Sequence, residues 1–194
     1  MSMAEIILFH HVQGLTPGIL AFAEGLSAAG HVVHTPDLFD GQTFPSLEAG
    51  MDHARALGFG NIIDRAVAEA EDLAADLVYA GFSMGVMPAQ KLAQTRTGAR
   101  GALLFHACVP VEEFGARWPD DVPVQIHGMD ADPSFVEEGD LDAARALVES
   151  TAQAELFLYP GDAHLFADSS LPSYRRDAAD LMTGRVLDFL SKIG

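Results

Sequence analysis

The stretch Leu77-Val78-Tyr79-Ala80-Gly81-Phe82-Ser83-Met84-Gly85 decides the fold of this chain. A short apolar run leads directly into the motif G-x-S-x-G, and a helical pattern of apolar residues begins at residue 86. A buried strand, a sharp turn and a helix are therefore predicted in immediate succession. The two glycines leave room where side chains would collide across such a turn. Ser83 is thus expected at a helix N-terminus, where backbone N–H groups favour a developing negative charge.

A G-x-S-x-G motif between a strand and a helix is typical of the nucleophile elbow of α/β-hydrolases. The motif has only three fixed positions, so the alternative interpretation is an ordinary glycine-rich turn. Residues farther along the chain distinguish the two interpretations, because a serine nucleophile needs a base, and the base needs a group that orients it.

Length and composition limit the kinds of protein that this chain can be. At 194 residues, with 49% hydrophobic and 20% charged residues, it is expected to be one globular domain spanning residues 1–194. The formal net charge of −17 argues against nucleic acid or an anionic membrane as a partner. We therefore expect a small-molecule substrate, and the oligomeric state stays open.

The cysteine content and the termini bear on redox chemistry and location. Cys108 is the single cysteine, which excludes an intrachain disulfide and leaves no thiolate cluster for a metal. Residues 1–5 lack the basic and apolar regions of a signal peptide, and no apolar stretch approaches the length of a membrane span. The expectation is a cytoplasmic protein that uses no cofactor and no metal.

Strand patterns alternate with helix patterns along the whole chain. This alternation predicts an α/β fold, namely an α/β-hydrolase fold with a mostly parallel sheet, helices on both faces and no large lid domain. Asn61 is the expected N-cap of the third helix. Strands are predicted at residues 5–9, 31–35, 77–80, 101–105, 122–127 and 154–159, and helices at residues 19–29, 46–57, 61–75, 86–97, 141–149 and 176–193.

The catalytic candidates follow the carboxyl ends of predicted strands, where ligands bind in parallel sheets. In α/β-hydrolases the nucleophile comes first in the chain, then the acid, then the histidine. His164, after the last strand, is the candidate base for Ser83. Either Asp130 or Asp132, after the preceding strand, can supply the acid, and the pattern alone leaves this choice open.

An acyl-transfer site also needs an oxyanion hole made of two backbone N–H groups. One belongs to the residue after the nucleophile, Met84. The second is expected in the loop after the first strand, residues 10–14, where we choose Val12. Main-chain groups require no particular side chain, so the sequence does not test this choice.

Four other polar residues follow strand ends, and their roles stay open: His10, His11, His106 and Cys108. The adjacent histidines suggest a metal site, but neighbouring residues in an extended segment point in opposite directions. No carboxylate or cysteine stands at a suitable spacing, so no metal site is expected. Cys108 is expected to be a small buried apolar residue rather than a nucleophile.

Taken together, these segments resemble the dienelactone hydrolase family across almost the whole chain. Residues 36–41 resemble the family's P-D-L-Y/F-x-G loop, and residues 159–167 resemble Y-x-x-x-x-H-x-F-A with His164 as the base. Asp132 follows His127 by five positions, as the family's acid follows a strand-end histidine. The resemblance favours Asp132 over Asp130 and implies hydrolysis of a small ester or lactone.

The chain departs from the family's pattern at three positions. Ser83 stands where well-studied members carry cysteine, and His11 stands where they use a glutamate that helps to control the thiolate. Asp168, four residues after the histidine, replaces an arginine that grips the substrate carboxylate. An acid cannot anchor a carboxylate, so the resemblance does not extend to dienelactone itself. We expect Asp168 to lie near the cleft, where it would disfavour anionic substrates.

The sequence therefore predicts a cofactor-independent serine hydrolase with Ser83, His164 and Asp132 as its triad. Two alternatives stay open. One is a hydrolase-like protein that binds a ligand without turnover, and the other is a thioesterase that uses the same triad.

Overall fold

One parallel sheet forms the centre of the molecule, whose computed structural model describes residues 3–193. The strand order is β2-β1-β3-β4-β5-β6, and every neighbouring pair is parallel. The predicted fold class is thus confirmed. The strands are β1 (Glu5–Phe9), β2 (Val32–His34), β3 (Val78–Phe82), β4 (Gly101–Phe105), β5 (Val124–Met129) and β6 (Ala154–Tyr159).

Helices cover both faces of this sheet. Helices α1 and α7 pack on one face, and α2 to α6 pack on the other, so that each face has its own apolar core. Within residues 3–193 the α-helices are α1 (Pro17–Ala28), α2 (Leu47–Leu57), α3 (Phe59–Glu71), α4 (Val86–Thr95), α5 (Pro133–Glu137), α6 (Asp140–Ser150) and α7 (Arg176–Ile193).

The continuous apolar runs of the strands follow from this two-sided burial. In β1, Ile6 and Leu8 belong to the core under α1 and α7, whereas Ile7 and Phe9 belong to the opposite core. Successive side chains of a strand point to opposite faces, so a strand covered on both sides needs apolar residues at every position. All four side chains are buried.

The start of α3 differs from the prediction. Asn61 is not an N-cap, because the helix already begins at Phe59. Gly58 ends α2 and precedes α3 with a φ of 84°, a conformation that glycine adopts at little cost. Asn61 lies inside the new helix and donates a hydrogen bond to the carbonyl of Leu57 at 2.7 Å. The turn at Gly58, rather than an asparagine cap, thus sets the boundary.

The residues between β5 and β6 contain a short helix, α5, that the sequence did not predict. Strand β5 also runs to Met129, two residues beyond the predicted end. Asp130 and Asp132 therefore follow the carboxyl end of β5 directly. Within residues 3–193, no helix is both long enough and apolar enough to cross a membrane.

Candidate active site

Ser83 lies on a sharp turn between β3 and α4, as predicted. Its φ of 50° is in the left-handed region, which a residue with a side chain adopts only at a cost. A Cβ at Gly81 would collide with the carbonyl oxygen of Gly85, and one at Gly85 would collide with that of Phe9. Both glycines are therefore required by close backbone contacts, and the turn holds Ser83 at the carboxyl edge of the sheet.

The three residues predicted as a triad lie in one hydrogen-bonded row. His164 Nε2 lies 3.0 Å from the hydroxyl oxygen of Ser83, and His164 Nδ1 lies 2.6 Å from Asp132 Oδ2. The Asp132 side chain is 1% exposed and that of His164 is 11% exposed. The arrangement has the geometry of a serine nucleophile, a base and an orienting acid.

The two candidate acids have different positions. Asp132 is buried and caps α5, where its Oδ1 accepts a hydrogen bond from the Ser134 N–H at 3.0 Å while Oδ2 faces His164. Asp130 is exposed and accepts a hydrogen bond from the Gly161 N–H at 3.0 Å. Asp130 thus ties the loop after β5 to the loop that carries His164, and only Asp132 contacts the imidazole.

The loop after β1 is held by its two histidines. His10 Nδ1–H donates to the His11 carbonyl at 2.7 Å, and Nε2 accepts from the Leu38 N–H at 3.0 Å. Burial lowers the pKa of His10 to about 4, which fits a neutral ring with both nitrogens occupied. Val12, the predicted second oxyanion donor, is buried in this loop and lines the same cavity as Ser83 and Met84.

Asp168 does not lie where we expected it. It is fully buried, does not line the cavity, and accepts a hydrogen bond from His11 Nε2 at 2.8 Å as well as from the hydroxyls of Thr16 and Ser170. Burial by itself would raise the pKa of Asp168, but these hydrogen bonds together outweigh it and hold the pKa below its usual value. The expectation that Asp168 repels anions in the cleft is therefore wrong.

Two of the departures from the family's pattern contact each other. His11 and Asp168 form one buried pair that joins the loop after β1 to the segment after His164. Gly18 leaves the space for this pair, because a Cβ there would collide with the Asp168 carboxylate. The pair therefore has a structural role, and within residues 3–193 neither side chain is hydrogen-bonded to Ser83, Asp132 or His164.

A cavity of about 290 Å³ opens above Ser83 and His164. Most of its wall is apolar, and its two carboxylates are those of Glu138 and Asp140. Burial, and to a lesser extent Glu138, raises the pKa of Asp140 to about 6. Within residues 3–193, no lysine or arginine lines the cavity. The residues that line it are Val12, Leu47, Met51, Phe59, Ser83, Met84, Met87, His106, Ala107, Val109, Ser134, Glu138, Asp140 and His164.

Cys108 and His106, whose roles the sequence left open, differ in their surroundings. Cys108 is buried outside the cavity lining, and burial raises the pKa of its thiol to about 12, which opposes a role as nucleophile. His106 is buried in the cavity wall, and neither of its ring nitrogens has a hydrogen-bond partner among the described residues.

Several cavity residues carry no signal in the sequence. Glu138 belongs to the link between α5 and α6, Asp140 is the first residue of α6, and Met51 and Phe59 belong to α2 and α3. None follows a strand end directly, so the rule that places ligands at the carboxyl edge does not select them. Only the packing of these helices over the edge brings them to Ser83.

The fold defines the chain as an α/β-hydrolase, and solved structures share it over nearly the full length. A candidate dienelactone hydrolase from Klebsiella pneumoniae subsp. pneumoniae has a TM-score of 0.73 at 18% identity, with 96% of this chain and 86% of that chain covered. A dienelactone hydrolase-like promiscuous phosphotriesterase from metagenomic libraries has a TM-score of 0.70 at 17% identity, with 98% and 86% covered. Esterase 2 of Thermogutta terrifontis has a TM-score of 0.70 at 17% identity, with 99% and 84% covered.

The chain belongs to the dienelactone hydrolase family, whose sequence profile matches residues 2–194. The resemblance inferred from the motifs is thereby confirmed. Membership of this family identifies the chain as an ester-hydrolysing enzyme that acts on a small molecule. None of the curated proteins compared with the sequence matches it.

Proposed function

We propose that the chain is a serine hydrolase that cleaves a small carboxylic ester or lactone with Ser83, His164 and Asp132. One observation carries the proposal: the continuous row of hydrogen-bonding atoms from the Ser83 hydroxyl through the His164 ring to the buried Asp132 carboxylate, with distances of 3.0 and 2.6 Å. The row opens on a cavity large enough for a small substrate.

In the first half-reaction the Ser83 oxygen attacks the substrate carbonyl while His164 Nε2 removes the hydroxyl proton. The negative charge that develops on the carbonyl oxygen is stabilised by the N–H groups of Met84 and Val12. Asp132 holds the imidazole in the tautomer with a proton on Nδ1 and stabilises its charged form. The C–O bond of the ester then breaks, and His164 returns the proton to the leaving alkoxide.

In the second half-reaction water replaces the alcohol. His164 Nε2 removes a proton from the water as its oxygen attacks the acyl group on Ser83. The bond between the acyl carbon and the Ser83 oxygen breaks, and His164 returns the proton to that oxygen. The products are the carboxylic acid and the regenerated serine, so the cycle balances without a cofactor.

The proposed enzyme acts as a single domain of residues 1–194 in the cytoplasm. The proposed substrate carries no negative charge, because the cavity presents Glu138 and Asp140 and, within residues 3–193, no basic side chain. The single six-stranded sheet supports the single domain.

A fluorophosphonate probe tests the nucleophile directly. The wild-type protein should be labelled at Ser83 and should hydrolyse members of a panel of p-nitrophenyl esters and lactones. Ser83→Ala should lose labelling and retain about 10³- to 10⁴-fold catalysis over water at most. Ser134→Ala is the matched control, since Ser134 also lines the cavity and should not be labelled.

Each alternative predicts a different result. A folded wild-type protein that the probe does not label and that turns over no ester or lactone would support a ligand-binding module. Thioesters preferred tenfold or more over matched oxygen esters would support a thioesterase. Labelling that persists in folded Ser83→Ala would contradict the assignment of the nucleophile.

A further inference from the structure

Among the described residues that line the cavity, His106 is the one whose side-chain nitrogens are buried and have no hydrogen-bond partner. It follows the carboxyl end of β4, and its backbone N–H donates to the His127 carbonyl at 2.7 Å. Its side chain is 1% exposed, and both ring nitrogens lack a hydrogen-bond partner among the described residues. Buried polar groups are paired in the large majority of cases, so an unpaired imidazole in a cavity wall needs an explanation.

Two further features separate His106 from a histidine of the core. Its φ is 66°, so the backbone is in the left-handed region, which is uncommon for residues that have a side chain. Its ring packs edge-to-face on Phe166 at 4.7 Å and lies 5.9 Å from the ring of His164. The neighbouring His127 shows the contrast, because its nitrogens are paired with Tyr159 and Gln125.

We infer that His106 binds the substrate by a hydrogen bond to a hydroxyl group that the ester or lactone carries, an inference that rests on the proposed function. A hydroxyl bound in the cavity would supply the hydrogen-bond partner that the ring nitrogens of His106 lack among the described residues.

The chemistry of the ring favours a hydroxyl over a carboxylate or an ammonium group. Burial lowers the pKa of His106 well below its usual value, so the ring stays neutral and has one N–H donor and one bare nitrogen. A hydroxyl can accept from the N–H or donate to the bare nitrogen, and therefore satisfies either tautomer. A carboxylate would favour the charged ring, which burial opposes, and an ammonium could use only the bare nitrogen.

Matched esters test the inference. The reference ester is ethyl butyrate. Ethyl 3-hydroxybutyrate adds a hydroxyl to its acyl part, and 2-hydroxyethyl butyrate adds one to its alcohol part. In the wild type, kcat/KM for one of the two hydroxy esters should exceed that for ethyl butyrate by about tenfold. A difference of this size corresponds to one hydrogen bond to a buried group. The preference should appear mainly in KM, because the contact is made in both the ground state and the transition state.

Variants of His106 test whether its imidazole ring causes the preference for the hydroxy ester. His106→Phe keeps the aromatic contact but removes both nitrogens, and should abolish the preference for the hydroxy ester over ethyl butyrate. His106→Asn retains a donor and an acceptor, tolerates a positive φ and should keep part of the preference. If His106→Phe does not fold, His106→Gly removes the ring without backbone strain. Ser134→Ala removes a different hydrogen-bonding group from the cavity wall and should leave the preference for the hydroxy ester unchanged.

The outcomes separate this inference from the proposed function. No hydrolysis of any ester by the folded wild type would overturn both. Hydrolysis with no preference for either hydroxy ester, or with a preference that persists in His106→Phe or His106→Gly, would overturn the inference and leave the triad standing. A binding measurement uses Ser83→Ala, which lacks turnover. The ¹⁵N NMR signals of the His106 ring nitrogens should shift when ethyl 3-hydroxybutyrate or 2-hydroxyethyl butyrate is added. Unchanged signals with both esters would also overturn the inference about His106.

Discussion

The molecule contains two buried aspartate–histidine pairs of nearly equal geometry. In one, Asp132 contacts His164 at 2.6 Å, and in the other Asp168 contacts His11 at 2.8 Å. The difference lies at the second ring nitrogen. That of His164 faces the Ser83 hydroxyl at 3.0 Å, whereas that of His11 accepts the backbone N–H of Gln13 at 3.1 Å. A histidine whose second nitrogen is occupied by the backbone cannot serve as a base.

This comparison teaches that an acid–histidine contact is not by itself a catalytic signature. Both aspartates are fully buried, and both are held by additional hydrogen bonds. Of these two pairs, only the one at the cavity presents its second ring nitrogen to a serine hydroxyl. The other pair joins two loops, so its removal should change stability more than catalysis. The following predictions test that division, from the largest expected effect to the smallest.

Asp132→Asn should lower kcat by about 10⁴-fold, because the asparagine no longer holds the tautomer of His164 or stabilises its charged form. Asp130→Asn, the matched control, should change kcat by less than about tenfold, since Asp130 contacts the Gly161 backbone instead of the ring. The measurement is steady-state kcat on the best ester of the panel. The reverse order of the two variants would move the acid's role to Asp130.

Asp168→Asn should lower the free energy of unfolding by about 2 to 3 kcal/mol at pH 7, because hydrogen bonds to a buried charged group are replaced by mismatched ones. Its kcat should fall by less than about tenfold. Denaturant unfolding of the two proteins measures the difference, and Asp162→Asn is a control at an exposed acid. A 10⁴-fold loss of kcat in a stable Asp168→Asn protein would contradict the structural role.

The contribution of Asp168 should also depend on pH in a defined direction. Its pKa in the folded protein is lowered, so the stabilisation is present above its pKa in the unfolded chain and is lost as the pH falls through the folded value. The gap in unfolding free energy between the wild type and Asp168→Asn should therefore be largest near pH 7 and shrink below about pH 4. A gap that stays constant from pH 7 to pH 3 would disprove this linkage.

A third carboxylate, Asp140, sharpens the comparison because it faces the cavity without a histidine partner. Asp140 should lower kcat/KM for substrates that bear a carboxylate by about five- to tenfold. This corresponds to about 1 kcal/mol, the repulsion between two charges about 10 Å apart at an effective dielectric constant of about 20 to 40. The test compares kcat/KM for such an ester and its methyl ester at low and high salt. Asp140→Asn should reduce the discrimination, and a carboxylate ester preferred tenfold at both salts would contradict it.

The smallest predicted effect is the pH dependence of that discrimination. Because burial raises the pKa of Asp140 to about 6, the preference for the neutral ester should increase between pH 5 and pH 7 as the carboxylate ionises. The ratio of the two kcat/KM values removes the pH dependence of the triad itself. In Asp140→Asn the ratio should change less, and an equal change in both proteins would exclude Asp140 as its source.

The motifs selected three candidate residues that the structure brings together, because the position of each depends on local constraints. The elbow needs glycines at fixed spacing around Ser83, and the acid and the histidine follow strands that the apolar runs reveal. Asn61 was misplaced because a single glycine at residue 58 set the helix boundary. The bounds of β4, β6 and α7 agree with the prediction, since apolar runs and helical periodicity mark them clearly.

By itself, the sequence determined the parallel α/β sheet, the family and the order of the candidate nucleophile, acid and base along the chain, because these depend on short-range patterns of hydrophobicity and turn geometry. Only the tertiary structure decided that Asp168 pairs with His11 in the interior, that Asp140 faces the cavity and that the ring nitrogens of His106 have no hydrogen-bond partner in residues 3–193. These properties depend on which groups meet across 32 to 157 residues of chain, and no local pattern encodes the environment that packing creates.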